Sequence, residues 1–271
     1  MPAEFSTPLL TLPPILSALF GIILGLIIGS FLSMLTWRMP LSLFAEDENT
    51  AHYRIISTGR SRCPNCHTEL PWYRLIPLFS WLYSKGKCHH CHTPISKRYP
   101  LIELASAILT ATTLLYFGFS LEGFAALIFC WLLIAITVID IEHQLILDNL
   151  SFPLLWIGLL LNTQSMFTTL ELAVWGAALG YLLLWSVFHS FRLLTGKEGM
   201  GYGDFKMLAA LGAWFGALAI AQIIFIAALS SILIGLSLAL LKIRPHDAPF
   251  AFGPYLALGG LVTLFFGSEI L

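Results

Sequence analysis

The stretch Met207–Leu241 runs for 35 residues without one charged side chain. As a single helix rising about 1.5 Å per residue it would reach about 52 Å. The hydrocarbon core of a bilayer is only about 30 Å thick. Six other uncharged stretches share the chain with it: Leu16–Trp37, Leu104–Leu121, Gly123–Ile139, Asn149–Leu170, Leu172–Phe191 and Ala248–Ser268. Each is close to the roughly 17–25 residues that a spanning helix needs. Only 11% of the 271 residues are charged and 58% are hydrophobic, against about 25% charged in a soluble domain. The fold class expected is an all-α polytopic membrane protein. Met207–Leu241 is too long for one span, so it divides in two, with the break near "GAWFGA" (212–217), and the total is eight.

Charge placement supports that count. Nine of the fourteen basic residues lie between Arg38 and Arg98, three more are Arg192, Lys197 and Lys206, and the last two are Lys242 and Arg244. With eight spans all of them fall on one side, which the positive-inside rule makes cytoplasmic. Both termini then face out. The first apolar run reads as a retained span, because it lacks a basic leader segment and continues too far for a cleavable signal. No internal repeat stands out.

The polar stretch 38–99 separates the first two spans and carries Cys63-Pro-Asn-Cys66 and Cys88-His-His-Cys91. Each C-x-x-C pair can turn two thiolates to one side of a tight knuckle, and two knuckles complete a tetrahedral S₄ zinc site. Such a site is coordinatively closed, so the metal holds the insert and does no chemistry. Paired disulfides are the alternative, and a reducing cytoplasm argues against them. His67, His89, His90 and His92 lie beside the cysteines but are not needed as ligands. Trp72, Tyr73, Phe79, Trp81 and Tyr83 read as a small apolar core around the metal, with a membrane-surface anchor as the alternative. Cys130, in mid-span, reads as a packing residue.

Carboxylates beside spans are costly and usually functional. Asp140 ends the third span, with Glu142, His143 and Asp148 just behind it. Asp204 opens the sixth. Span parity puts all of these at the cytoplasmic edge. Two carboxyls from distant parts of the chain can share one proton there. One activates water and the other protonates the leaving amine, which is aspartic proteolysis. Asp204 can also be read as a helix N-cap. Gly199, Gly201 and Gly203 in "GMGYGD" are expected to supply backbone conformations closed to other residues and to admit an extended peptide. Glu46, Asp47 and Glu48 read as a solvated acidic turn.

Taken together these motifs resemble the type IV prepilin peptidases nearly end to end. "GSFLSMLTWRMP" (29–40), the two C-x-x-C pairs, "KRYPLIELASA" (97–107), "IDIEHQLILD" (139–148), "GKEGMGYGDFKMLAALGAW" (196–214) and "FGPYLALGG" (252–260) carry the likeness. The resemblance implies catalytic roles for Asp140 and for Asp204 in its G-x-G-D motif. It implies division into a first transmembrane segment (1–37), a zinc insert (38–99) and a transmembrane peptidase core (100–271). It further implies a bacterial inner-membrane enzyme whose site and insert face the cytoplasm. Such enzymes cut the basic leader of type IV prepilins or type II secretion pseudopilins after a glycine. Those with the four-cysteine insert commonly also methylate the new N-terminus, often Phe, with S-adenosylmethionine. The partners expected are those substrates and the lipid bilayer, not nucleic acid. Two positions depart from the usual pattern: Ser33 replaces an Asn, and Leu147 replaces a Pro, which implies a less sharply broken helix there. The rival readings are an ion-coupled transporter, which would place carboxylates near the midplane, and a non-catalytic assembly platform, which leaves "GMGYGD" unexplained.

Overall fold

The structure is a computed structural model, described at residue 10 and over residues 12–44, 62–63, 65–197, 200–241 and 251–267. Gly199 and the acidic turn at Glu46, Asp47 and Glu48 lie outside the described residues. The helices are α1 (Pro14–Phe44), a short α2 (Phe79–Tyr83), α3 (Arg98–Phe117), α4 (Leu121–His143), α5 (Asp148–Asn162), α6 (Leu170–Thr195), α7 (Tyr202–Phe215), α8 (Ala219–Leu240) and α9 (Gly253–Phe266). The described residues form no strand beyond isolated bridges. The fold is all-α, as expected.

Every apolar stretch holds a helix, and Met207–Leu241 holds parts of two. The break falls inside "GAWFGA", at Gly216, whose φ of 85° is a left-handed helix stop open to glycine. Helices overrun the apolar stretches at their polar ends. α1 continues past Trp37 to Phe44, and α6 continues past Phe191 to Thr195. The apolar run marks contact with hydrocarbon, whereas the helix persists until its backbone is capped. Five helices, α1, α3, α4, α6 and α8, are long and apolar enough to cross a membrane. Apart from the short α2, the remaining helices, α5, α7 and α9, have 15, 14 and 14 residues.

The chain packs as two compact units, Met1–Ala135 and Ile136–Leu271. The first is organised by α1 against α3. Gly21, Gly25 and Gly29 recur every fourth residue, and a Cβ on each would lie 2.6–2.7 Å from the backbone of Ala111, Ala107 and Glu103. Small residues at this spacing let two helices touch backbone to backbone, which is how helices associate in lipid. At the polar end of this seam Arg98 donates to the Ser33 carbonyl (2.8 Å) and the Thr36 hydroxyl (2.6 Å). The buried Glu103 accepts from the backbone N–H of Leu78, 2.8 Å away. Two motifs far apart in sequence, "GSFLSMLTWRMP" and "KRYPLIELASA", are thus one packing unit that also grips the insert. Ser33 is buried and its hydroxyl donates to the Ser30 carbonyl at 2.8 Å. Cys130 is fully buried, with its sulfur 3.6 Å from the Thr113 hydroxyl, and packs as expected.

The second unit is built around α7. From Asp204 to Trp214 only Lys206 escapes burial, and a helix apolar on all sides is one surrounded by others. Its C-terminal carbonyls, orphaned at the helix end, are met by the buried Asn162. That amide donates to Ala213 and Trp214 (2.8 and 2.9 Å), and its oxygen accepts from the N–H groups of Phe167 and Thr168. The Trp214 indole donates to Leu154 at 2.7 Å. Gly176 on α6 faces Gly212 on α7 so closely that a Cβ on either would overlap the other's backbone. These contacts fix the axial position of α7, and therefore of the aspartate at its start.

Candidate active site

Asp140 sits in the last turn of α4 and Asp204 in the first turn of α7. Both are buried, with 5% and 8% of their surface exposed. They come from segments 64 residues apart and lie close enough for one charge to act on the other. The backbone N–H of Gly253 donates to Asp140 Oδ2 at 2.9 Å. Gly253 is the first residue of α9, where an N–H has no partner within the helix, and Pro254 follows it. The orphan donor of one helix is thus aimed at the carboxylate closing another. Asp204 is the third residue of α7 and is hydrogen-bonded by the backbone of Gly201. The N-cap is therefore Gly201 rather than Asp204, and the acid reaches back to it as in a capping box.

Ile146 ties the two halves together. A Cβ on Gly203 would lie 2.7 Å from Ile146 Cβ, and one on Gly253 would lie 3.2 Å from Ile146 Cδ1. This corrects the expected role of the glycines. Gly201 is in ordinary extended backbone (φ −83°, ψ 150°), and Gly203 is helical. Gly203 is required by close approach to Ile146, not by an unusual φ. A Cβ on Gly253 would stand 2.6 Å from Asp140 Oδ2, so that glycine is required by the carboxylate itself. Gly253 and Ile146 are site residues that sequence reasoning did not single out. The signal for the first was glycine before proline at the head of an apolar run.

Of the other polar groups behind Asp140, Glu142 and His143 are exposed. Asp148 pairs with Lys206 at 2.6 Å, half exposed. The chain between α4 and α5 is broken despite the missing proline. Gln144 takes φ 54°, and Leu147 adopts φ −79°, ψ 135°, close to the φ that a proline would impose. The Leu147 side chain is buried at this break.

The four sulfurs of Cys63, Cys66, Cys88 and Cys91 lie within 4.8 Å of one another, with Cys63–Cys91 at 3.7 Å and Cys66–Cys88 at 4.0 Å. A tetrahedral ion with bonds of about 2.3 Å to sulfur spaces its ligands about 3.8 Å apart, so the cluster fits zinc. It is no disulfide, which would bring two sulfurs to about 2.05 Å. The knuckles are copies of each other. In both "CPNCHT" and "CHHCHT" the first cysteine N–H bonds the threonine carbonyl (3.0 and 2.9 Å). In both the histidine turns left-handed, at φ 55° and 57°. A short C-x-x-C-H-T repeat is therefore present where none was expected. The hydroxyl and backbone of Thr93 hold the Cys91 thiol down to about 5, and those of Thr68 lower Cys66. For Cys63 the Cys66 backbone N–H pulls down most, but burial and the neighbouring Cys88 and Cys66 thiols together push the thiol up to about 11. Of the aromatic side chains described, Phe79 and Tyr83 do not enclose this cluster. Phe79 is 66% and Tyr83 92% exposed, because a five-residue helix cannot bury both faces. Trp81 packs inward, over Gly86, donating to the Ile95 carbonyl at 3.3 Å.

Comparison with known proteins accounts for both parts of the chain. Residues 23–117 match the bacterial peptidase A24 N-terminal domain, and residues 127–239 match the type IV leader peptidase family. The prepilin leader peptidase/N-methyltransferase of Stutzerimonas stutzeri is 42% identical over 285 residues, covering 99% of this chain and 96% of the relative. The proteins of the same description from Aeromonas hydrophila and Pseudomonas aeruginosa are each 42% identical. The matches cover 91% and 95% of this chain and 89% and 93% of those proteins. No solved structure matches. The transporter reading finds no support in these similarities. With its apolar helices and near full-length likeness to these enzymes, the chain belongs to the type IV leader peptidase family, as a multi-pass enzyme of the inner membrane.

Proposed function

We propose that the chain is an aspartic endopeptidase that removes the basic leader of type IV prepilins or type II secretion pseudopilins after a glycine. It then methylates the new N-terminus, often Phe, with S-adenosylmethionine as the methyl donor. The observation that carries the peptidase reading is the pairing of two buried carboxyls, Asp140 and Asp204, with an N–H from Gly253 fixed on one of them. Gly253 occupies Asp140 Oδ2 and leaves Oδ1 to meet water or the scissile carbonyl. One carboxylate takes a proton from the attacking water while its partner polarises the carbonyl and later protonates the leaving amine. Cys63, Cys66, Cys88 and Cys91 hold one structural zinc, and their four thiolates leave no coordination position for catalysis. The insert, 38–99, and a peptidase core, 100–271, follow a first transmembrane segment, 1–37.

Purified enzyme incubated with a prepilin tests the activity by product mass. Loss of the leader marks cleavage, and a further gain of one methyl group marks methylation. A substrate mass unchanged under conditions where a relative cleaves it would end the proposal. The topology proposed has eight spans with the dyad and insert on the cytoplasmic side, supported by the one-sided placement of basic residues. A cysteine at Ser165 should then label from the periplasm and one at Ser84 should not; the reverse pattern requires a different span count.

A further inference from the structure

We propose that α2 is an interfacial helix whose outward face, Phe79, Leu82 and Tyr83, lies in the headgroup layer of the bilayer and meets anionic phospholipid there, with Glu103 as its tether. The three side chains sit at positions i, i+3 and i+4, which share one face of a helix. They are between 63% and 92% exposed. Leu75 and Ile76, just ahead of α2, are exposed as well. The opposite side of α2 packs inward, through Trp81 over Gly86. An exposed cluster of large apolar groups marks a surface for a membrane or another protein.

Its place in the fold decides for lipid. The backbone N–H of Leu78, at the head of α2, donates to the buried Glu103 at 2.8 Å. Glu103 directly precedes Leu104, the first residue of the uncharged run in α3, and α3 is long and apolar enough to cross a membrane. Leu78 takes φ 58°, a conformation that costs a leucine and persists where its surroundings impose it. About a turn before Glu103, the Arg98 guanidinium lies 5.8 Å from the ring centres of both Trp37 and Tyr99, and Trp and Tyr at span ends mark the headgroup level. α2 therefore starts at the depth where α3 enters hydrocarbon. Its five residues reach only about 7 Å from there, no more than the roughly 5–7 Å of one interfacial layer. The charges agree. From Leu70 to Arg98 the chain carries Arg74, Lys85, Lys87, Lys97 and Arg98 and no acidic residue. Lys85 and Lys87, just after α2, are exposed, and basic groups beside an apolar helix face favour an anionic membrane surface. Trp81 donates to the Ile95 carbonyl, and the Ile95 N–H bonds Gly86 at 2.7 Å, so α2 carries the Cys88–Cys91 knuckle with it.

The test uses the full-length enzyme in nanodiscs of phosphatidylethanolamine and phosphatidylglycerol, with photoreactive benzoylphenylalanine in place of Phe79, Leu82 or Tyr83 in turn. These positions are exposed, so the probe leaves the packing intact. Lipid adducts, read by mass, should form at all three. Each basic group near an anionic surface favours association by about fivefold, so Lys85→Glu, or phosphatidylcholine in place of phosphatidylglycerol, should lower the yield at the Tyr83 position several-fold. Glu103→Leu removes the acceptor for Leu78 and should lower the same yield, whereas Glu103→Gln keeps an acceptor and should preserve it. Adducts to a second copy, to the chain itself or to added prepilin instead of lipid overturn the interfacial helix, as does the absence of lipid adducts at all three positions. A yield unchanged in phosphatidylcholine overturns the anionic preference, and equal yields with Glu103→Leu and Glu103→Gln overturn the tether. Where Glu103→Leu does not fold, the probes in the otherwise native chain still decide whether α2 meets lipid.

Discussion

Asp140→Asn and Asp204→Asn are each expected to reduce prepilin cleavage by roughly 10²–10⁴-fold or more, the range typical of lost acid–base catalysis. Asparagine keeps the shape of the side chain, and its oxygen can still accept from Gly253, so both variants should insert and retain their helices. An amide can neither take a proton from water nor return one to the leaving amine. Loss of activity without loss of fold is therefore the signature of a chemical role. Asp148→Asn is the matched control. Asp148 lies in the same motif, but it is half exposed and paired with Lys206, and exposed pairs contribute only about 0–1 kcal/mol. It should stay within about tenfold of wild type. Gly253→Ala should fall between, because the added carbon would sit 2.6 Å from Asp140 Oδ2 and must displace the carboxylate. Near-normal cleavage by either asparagine variant would take that residue out of the site, and a collapse in Asp148→Asn would move the chemistry to it.

The helical fold and the two aspartates were legible because their physics is local. Lipid demands long uncharged runs, and a carboxylate at the edge of such a run stands out against them. Even the break at Gly216 could be placed from length alone. What was not legible depends on contacts between segments distant in sequence. Gly253 resembles any glycine at a helix start until α9 is seen to point its N–H at Asp140. Gly203 reads as a flexible hinge until Ile146 is found against it. The spacing of Gly21, Gly25 and Gly29 was visible, yet nothing in α1 says that α3 will be its partner. The aromatic residues of the insert misled for the opposite reason. Their composition signals a core, but Phe79 and Tyr83 stand outside one, where the described order comes from the four-sulfur cluster and the backbone bonds of two knuckles.

With the proposed zinc in place of a core, the insert should depend acutely on its cysteines. The purified protein should carry about one zinc per chain. Cys63→Ser should lower that content and open the insert to proteolysis between Arg62 and Lys97. Structural zinc supplies about 10–16 kcal/mol in small zinc-finger peptides, more than the total stability of many domains. The insert has little to set against its loss. The antiparallel contact of Arg62 with Glu69 is an exposed ion pair, at 2.7 Å, and among the described residues between α1 and α3 the longest helix has five residues. Acid should act in the same direction as mutation. Zinc binds thiolates, so protons compete with it, and metal is lost as pH falls. The threonine bonds that favour the thiolate at Cys66 and Cys91 delay this loss, whereas the buried Cys63 thiolate depends on the ion to stay deprotonated. The seam of α1 and α3 contains none of these cysteines, so helical content should survive where the insert does not. Circular dichroism, metal analysis and limited proteolysis on one preparation separate the two. Full zinc occupancy after Cys63→Ser and Cys88→Ser together would show that the metal is held elsewhere.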